Sequence, residues 1–230
     1  MKNLVLIPGL LCDRRLWRDQ IADLEAMAQI SVADITRQST LAEMAESVLA
    51  AAPHRFSLAG FSLGSQVALE IMQIATERVE RLALLSATRG GLLPPSVVAF
   101  HEAITTIEHG DFQQYLESFY PRYVAERRAS DEALKRTFMD MAHAVGAEAG
   151  LRQIRVLLGI TSSFPNLDQI RCPTFVIGGC EDRRTTPAAH EALAKEIPGA
   201  EFIMIEDSGH FTTLEQPAPV TRALHQWLAL

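Results

Sequence analysis

The stretch FSLAGFSLGSQVA, residues 56–68, decides the fold predicted for this chain. It starts apolar and β-prone, turns at residues 60–64, and continues with a helical pattern to residue 74. Glycines two residues before and two residues after Ser62 let a strand and a helix approach each other without Cβ clashes. Such a turn presents the Ser62 hydroxyl beyond the sheet and places the Leu63 N–H at a helix N-terminus. The stretch therefore predicts a nucleophilic serine, with an ordinary glycine-containing turn as the alternative.

Composition and charge are typical of one domain with a full hydrophobic core. The chain has 230 residues, 48% of them hydrophobic, and a formal net charge of -7. The absence of a basic run argues against a nucleic-acid partner. No apolar stretch approaches 18 residues, and the first apolar run stops at Pro8, so neither a membrane span nor a secretion signal is expected. Cys12, Cys172 and Cys180 are expected to be buried, reduced thiols of a cytoplasmic protein.

Short β-prone runs alternate with helical patterns along most of the chain. Strands are predicted at residues 2–7, 30–35, 56–59, 81–87, 173–178 and 201–205. Helices are predicted at residues 14–28, 40–51, 65–74, 188–197 and 217–228. This alternation indicates an α/β fold with a mostly parallel central sheet of about six strands flanked by helices. In such sheets sites form outside the carboxyl ends of the strands, which is where Ser62 is expected.

Residues 92–164 interrupt the alternation. The segment begins with two prolines, contains no convincing strand, and shows helical patterns at residues 96–108, 111–119, 130–143 and 148–160. We expect residues 1–91 and 165–230 to form the core and residues 92–164 to form a helical cap over the site. Six arginines of the cap are candidates for binding an acidic substrate, although a solvated helix surface is favoured for each: Arg122, Arg127, Arg128, Arg136, Arg152 and Arg155.

One of the seven histidines is placed to act as a base for Ser62. His210 follows the last predicted strand in a short loop, where Gly209 permits a tight turn, and this loop reaches the same edge of the sheet as Ser62. We therefore predict His210 as the general base. The other six lie in or beside predicted helices, where solvated side chains are expected: His54, His101, His109, His143, His190 and His225.

A carboxylate that orients the base is expected at another strand end. The fourth predicted strand ends without one, whereas Glu181 and Asp182 follow the fifth. We predict Asp182, because a shorter carboxylate at a turn is easier to hold rigidly against an imidazole, and Glu181 is then a solvated neighbour.

Two backbone amides are candidates for an oxyanion hole. One is the Leu63 N–H, and the other is the Leu10 N–H in the loop after the first strand, where Gly9 lets the backbone fold close to the serine. The Leu10 and Leu63 side chains are also candidates for an apolar pocket wall.

These motifs resemble those of the α/β-hydrolase superfamily over nearly the whole chain. The matching segments are residues 8–11, 60–64, 178–182 and 208–211, and the order Ser62, Asp182, His210 is that of the family. The chain is most similar to small esterases with a short helical cap, the carboxylesterase-like members near the biotin-pathway methyl esterases. This resemblance implies hydrolysis of an ester or thioester through an acyl-enzyme.

The sequence departs from the family pattern at three points. Pro8 stands where the family usually has a histidine, which leaves the backbone donor but removes a side chain that fixes the loop. Residues 34–39 replace the usual glycine-rich turn after the second strand. Residues 2–7 match the family's third strand, so a smaller sheet is expected.

The predicted function is therefore that of a serine hydrolase acting on a small-molecule carboxylic ester or thioester. Ser62 attacks the carbonyl carbon, His210 moves the proton, and Asp182 orients the imidazole. No metal-ligand spacing and no phosphate or dinucleotide fingerprint is present, so neither a metal nor a cofactor is expected. The alternatives are a C–C bond hydrolase, a lyase or a cofactor-free haloperoxidase-like enzyme on the same fold, and a small-ligand binding module without turnover.

Overall fold

Six strands form the centre of the computed structural model, which describes all residues from 1 to 230. They are β1 (Lys2–Ile7), β2 (Ala28–Val32), β3 (Phe56–Phe61), β4 (Val79–Leu85), β5 (Thr174–Gly179) and β6 (Glu201–Ile205). All six lie in one sheet, in the order β2-β1-β3-β4-β5-β6, and every neighbouring pair is parallel. The predicted α/β architecture is confirmed, with a sheet that is parallel throughout.

Ten α-helices surround this sheet. They are α1 (Arg18–Leu24), α2 (Leu41–Ala51), α3 (Leu63–Ile74), α4 (Pro94–Glu108), α5 (Phe112–Tyr123), α6 (Glu132–Val145), α7 (Ala147–Gly159), α8 (Pro187–Glu196), α9 (Thr212–Glu215) and α10 (Pro217–Ala229). Helix α2 packs on α3 and α1 packs on α10, and β3 and β5 are buried at all six of their positions. Burial along the whole strand is expected of central strands in a parallel sheet that helices cover on both faces. None of the helices is both long and apolar enough to cross a membrane.

Helices α4 to α7 form the helical insertion between β4 and β5. Helices α4, α6 and α7 begin and end within two residues of the predicted positions. An isolated antiparallel bridge between Gly90 and Ser163 joins the two ends of the insertion where they leave the core.

The prediction that α5 ends before Pro121 is wrong, because the helix continues through this proline to Tyr123. A proline near a helix end removes only one N–H donor, and side chains hold the last turn here. The Tyr120 hydroxyl donates to the Arg128 carbonyl at 2.9 Å, and the Tyr123 ring stacks on Phe119 with 3.6 Å between ring centroids.

Three other predicted elements are shifted, among them the fourth strand, which occupies Val79–Leu85 and not residues 81–87. The helix expected at residues 14–28 begins as a 3₁₀ turn, because the Asp13 carboxylate accepts a hydrogen bond from the Arg15 N–H at 2.9 Å and caps that turn. The second strand occupies Ala28–Val32 and not residues 30–35, because it pairs with β1 from the first residue of each strand.

The three thiols differ in burial. Cys12 is buried as predicted, whereas Cys172 and Cys180 are partly exposed, so the prediction of buried thiols is wrong for these two. None of the three forms a disulfide.

Close backbone contacts surround Ser62, the single residue between β3 and α3. A Cβ on Gly60 would lie 2.3 Å from the Gly64 carbonyl oxygen, and a Cβ on Gly64 would lie 2.3 Å from the Ile7 carbonyl oxygen. Neither distance leaves room for a methyl group, so these two glycines allow β1, β3 and α3 to meet at the end of the sheet.

We predict that Gly64→Ala lowers the midpoint of thermal unfolding by roughly 2–12 °C, because overpacking against fixed backbone costs about 1–3 kcal/mol. Differential scanning calorimetry measures the shift. Gly159→Ala in α7 is the matched control, since a Cβ there meets no atom within 4 Å, and it should leave the midpoint unchanged or raise it. Equal midpoints for both variants would contradict this account of the turn.

Candidate active site

The structure brings Ser62, His210 and Asp182 into one chain of hydrogen bonds. His210 Nδ1 lies 2.8 Å from Asp182 Oδ2, and His210 Nε2 lies 2.9 Å from Ser62 Oγ. A carboxylate can only accept, so Nδ1 carries the proton of the neutral ring and donates it to Asp182. The unprotonated Nε2 is then the acceptor for the Ser62 hydroxyl, which is the arrangement a general base needs.

Asp182 is held by backbone donors in the loop after β5. Its Oδ1 accepts hydrogen bonds from the N–H groups of Arg184 at 2.8 Å and Thr185 at 2.9 Å. Burial by itself raises the pKa of Asp182, but His210 and the Thr185 N–H outweigh it, and the pKa lies below its ordinary value. The competing carboxylate, Glu181, is partly exposed and forms an ion pair with Arg127 at 3.1 Å. Asp182 is therefore the carboxylate within reach of the imidazole.

The conformation of Ser62 aims its side chain at this imidazole. Ser62 has φ +52° and ψ -112°, a strained backbone for a residue with a side chain. Its N–H donates to the Leu85 carbonyl at 2.8 Å, and the Ser65 hydroxyl donates to the Gly60 carbonyl at 2.7 Å. These bonds fix both ends of the turn. The Leu63 amide is the first of α3, where a backbone N–H has no acceptor within the helix.

The loop that carries the second predicted donor, Leu10, is fixed from the helical insertion. The buried Gln153 side chain of α7 accepts a hydrogen bond from the Leu11 N–H at 2.9 Å and donates to the Ile35 carbonyl at 3.3 Å. Leu11 has φ +59°, an unfavourable conformation for a bulky residue, which this bond helps to hold. The Leu10 N–H donates to no group of the protein. Gln153 was not predicted from the sequence.

Glu215 holds the loop of His210 from the other side. Its buried carboxylate accepts hydrogen bonds from the N–H groups of Gly209 and Phe211, which flank His210, at 3.1 Å each. It also accepts one from the Ala125 N–H of the insertion at 2.8 Å. Burial raises the pKa of Glu215, and these donors oppose that rise. The base and the insertion are thus tied to one carboxylate that the sequence analysis missed.

Aromatic rings surround the imidazole. The ring centroid of His210 lies 5.5 Å from that of Phe61 and 5.3 Å from that of Tyr123, both at steep angles. The Ser86 hydroxyl, at the end of β4, donates to the His210 carbonyl at 2.7 Å. His210 is consequently only 4% exposed, and it lines the adjoining cavity.

A cavity of about 410 Å³ opens beside Ser62 and His210. Its remaining wall comes from the core and from both ends of the insertion, including Leu93, Phe100 and Ile160. The structure holds no group of three or more His, Cys, Asp or Glu side chains arranged to bind a metal ion. The lining is suited to a small organic molecule with an apolar part.

The prediction that His190 is solvated is wrong. This histidine of α8 is fully buried, and its ring packs so closely on Gly178 that a Cβ there would lie 2.6 Å from Nδ1. Nδ1 lies 3.1 Å from the Thr186 carbonyl, which can only accept, so Nδ1 carries the proton and Nε2 is buried without a partner. Burial lowers the pKa of His190 to about 4, and the ring is neutral at pH 7.

The chain belongs to the alpha/beta hydrolase family, whose model matches residues 4–223. It is 29% identical over 208 residues to BpoC of Mycobacterium tuberculosis H37Rv, which is provisionally named a non-heme bromoperoxidase; the match covers 84% of this chain and 76% of BpoC. It is 29% identical over 195 residues to the pimeloyl-acyl-carrier-protein methyl ester esterase of Aromatoleum aromaticum, covering 79% of this chain and 77% of that protein.

A solved structure shows the same fold. A thermophilic esterase from Thermogutta terrifontis superposes with a TM-score of 0.88 at 22% sequence identity, covering 100% of this chain and 90% of that one. The resemblance inferred from the sequence motifs is therefore confirmed at the level of family and fold.

We predict that Glu215→Gln lowers the free energy of unfolding by about 1.5–3 kcal/mol, since the amide NH₂ of glutamine would face at least one backbone N–H and leave it unsatisfied. Urea unfolding at pH 7 measures the loss. Glu201→Gln is the control, because Glu201 is exposed on β6 and forms no ion pair or side-chain hydrogen bond. A loss no larger than that of the control would mean that the carboxylate is not needed to hold the loop.

His190 should make the protein sensitive to acid. In the unfolded chain the pKa of histidine is near 6.5, and in the folded chain that of His190 is about 4, so the unfolded state binds the extra proton between these values. Its contribution to stability is complete above pH 6.5 and is lost as the pH falls towards 4, by roughly 3 kcal/mol.

The measurement is urea unfolding at pH 7 and pH 4.5. We expect His190→Gln to lose clearly less stability between these pH values than the wild type, whereas His225→Gln, at an exposed position on α10, should lose as much as the wild type. If His190→Gln loses as much stability between pH 7 and pH 4.5 as the wild type, other groups cause the acid sensitivity.

Proposed function

We propose that this chain is a serine hydrolase that cleaves a small-molecule carboxylic ester or thioester through an acyl-enzyme. One observation carries the proposal: Ser62, His210 and Asp182 are joined by hydrogen bonds of 2.9 and 2.8 Å at the wall of a cavity. Ser62 has a strained backbone, and its hydroxyl faces the unprotonated Nε2 of an oriented imidazole. This arrangement is suited to nucleophilic attack on a carbonyl.

The mechanism follows from which atoms can donate and accept. His210 Nε2 takes the Ser62 proton as Oγ bonds to the carbonyl carbon, and the imidazolium then gives this proton to the leaving alkoxide or thiolate. A water repeats the sequence on the acyl-enzyme and regenerates Ser62. Asp182, which stays ionised, keeps Nδ1 protonated and stabilises the imidazolium in both steps.

We assign the oxyanion hole to the N–H groups of Leu10 and Leu63. Neither amide is satisfied within its own loop or helix, and the second lies at the N-terminus of α3, where the helix dipole favours negative charge. Each donor is worth about 3–4 kcal/mol of transition-state stabilisation in comparable sites. Pro8 does not interfere, because both donors are backbone groups.

We further propose that residues 92–164 act as a cap that shapes the substrate pocket. The support is that Leu93, Phe100 and Leu157 of this segment line the cavity, and that the His210 N–H donates to the Tyr123 carbonyl at 2.9 Å. The apolar part of a substrate would contact these side chains while its ester group meets Ser62.

The test is a turnover and labelling assay with p-nitrophenyl esters of two to twelve acyl carbons. We expect Ser62→Ala to lose at least about 10³-fold in kcat, in line with the loss of a serine nucleophile elsewhere. A fluorophosphonate should label Ser62 in the wild type. Ser57→Ala is the control, because the Ser57 hydroxyl is buried in β3 without a partner and its loss should leave turnover intact.

Turnover that survives Ser62→Ala would contradict the proposal. Absence of both turnover and labelling in the folded wild type would favour a binding module, and peroxide-dependent bromination without ester turnover would favour the haloperoxidase-like alternative.

A further inference from the structure

The cavity beside Ser62 contains an arginine that has no acidic partner. Arg184, two residues after Asp182, is partly buried and lines this cavity. None of the ion pairs in the structure includes its guanidinium. A partly desolvated cation without a counter-ion is costly unless something else offsets its charge.

Neutral groups hold this guanidinium in place. Arg184 Nη2 donates to Ser96 Oγ of α4 at 3.2 Å, and its Cζ lies over the Tyr123 ring, 5.0 Å from the centroid. A guanidinium has five N–H donors arranged for bidentate contact with a carboxylate, and Arg184 uses at most two of them, on Ser96 and on the Tyr123 hydroxyl. The side chain is thus oriented with most of its donors available.

The rest of the cavity favours an anion as well. No aspartate or glutamate lines it, although the chain as a whole carries a net charge of -7. Its other arginine, Arg89, forms an ion pair with Glu196 at 2.7 Å and is neutralised. Arg184 therefore provides the one uncompensated arginine charge of the cavity.

Arg184 lies close to the reacting groups. The Tyr123 ring packs against both groups, with its centroid 5.0 Å from the Arg184 Cζ and 5.3 Å from the imidazole centroid, so the guanidinium and the imidazole are at most about 10 Å apart. A carboxylate bound by Arg184 would consequently be only a few carbon atoms from an ester carbonyl at Ser62.

We propose that Arg184 binds a carboxylate on the acyl part of the substrate, so that this protein acts on half-esters of short dicarboxylic acids. The inference rests on the proposed function, because it assigns the acyl group of that reaction. The six cap arginines considered from the sequence do not line the cavity. Four of them are already in ion pairs: Arg127, Arg128, Arg152 and Arg155.

The test compares monomethyl glutarate with methyl 5-methylhexanoate, in which an isopropyl group replaces the carboxylate at similar size. We expect the wild type to prefer the charged ester, and Arg184→Gln to lower the ratio of the two kcat/KM values about 10- to 100-fold, mainly through KM. Arg184→Lys should recover part of the ratio, because it restores the charge without the bidentate geometry.

Arg183→Gln is the matched control. It removes the same charge from the neighbouring residue, which is exposed, donates to the Pro121 carbonyl and does not line the cavity. This variant should keep the wild-type ratio, which separates direct binding from a long-range effect of net charge.

Calorimetric titration with glutarate provides a readout that needs no catalysis. Binding that is weakened in Arg184→Gln but not in Arg183→Gln supports the carboxylate site. If both esters are hydrolysed at the same ratio by the wild type and by Arg184→Gln, the carboxylate site is refuted while the serine hydrolase stands. If glutarate binds through Arg184 but neither ester is cleaved and Ser62 takes no label, the hydrolase proposal fails and the anion site stands.

Discussion

The hydrogen bond between Asp182 and His210 depends on two loops whose backbones touch. A Cβ on Gly179, the last residue of β5, would lie 2.1 Å from the Gly209 carbonyl oxygen, so the end of β5 and the loop after β6 pass each other at a distance that only glycine permits. Parallel strands bring these loops to one edge of the sheet, but their contact sets the 2.8 Å separation of carboxylate and imidazole. The position of the imidazole beside Ser62 therefore depends on this contact.

Two buried polar side chains fix the loops that the strands bring to the site. Gln153 fixes the loop of Leu10, Glu215 fixes the loop of His210, and each accepts hydrogen bonds from backbone groups that would otherwise be buried unpaired. Leaving a buried backbone N–H without an acceptor is costly, so these hydrogen bonds restrict each loop to a small range of positions. Both side chains form hydrogen bonds between the core and the insertion, and so join the two parts beside the site.

The sheet, the turn at Ser62 and the three residues of the hydrogen-bonded chain could be predicted because each leaves a local pattern. Short apolar runs predict β1 and β6. Gly60 and Gly64 around Ser62, and His210 in the loop after the last strand, predict where the site lies. Gln153 leaves no such pattern, since its partner Leu11 lies 142 residues away in the chain. Glu215 is close in sequence to Gly209 and Phe211, but its contact with the insertion, at Ala125, spans 90 residues. Arg184 lies two residues after the predicted Asp182, but only the folded structure shows that it lines the cavity and has no acidic partner. The burial of His190 was not predicted, because its helix is polar in sequence. Its ring is buried because it packs against Gly178, a contact that the sequence does not reveal.

Some parts of the insertion can be exchanged more easily than others, and residues 123–125 are the part that cannot. Gly209 is lodged against the backbone of Val124 and Ala125, and a Cβ there would lie 2.4 Å from the Ala125 nitrogen. By contrast, the turns at Gly110 and Gly146 leave an added Cβ no neighbour within 4 Å. An engineer who grafts helices from a related protein to change the pocket can alter chain length at those two turns, but must carry residues 123–125 over unchanged. The pocket wall that α4 and α7 contribute can therefore vary while the last turn of α5 stays with the histidine.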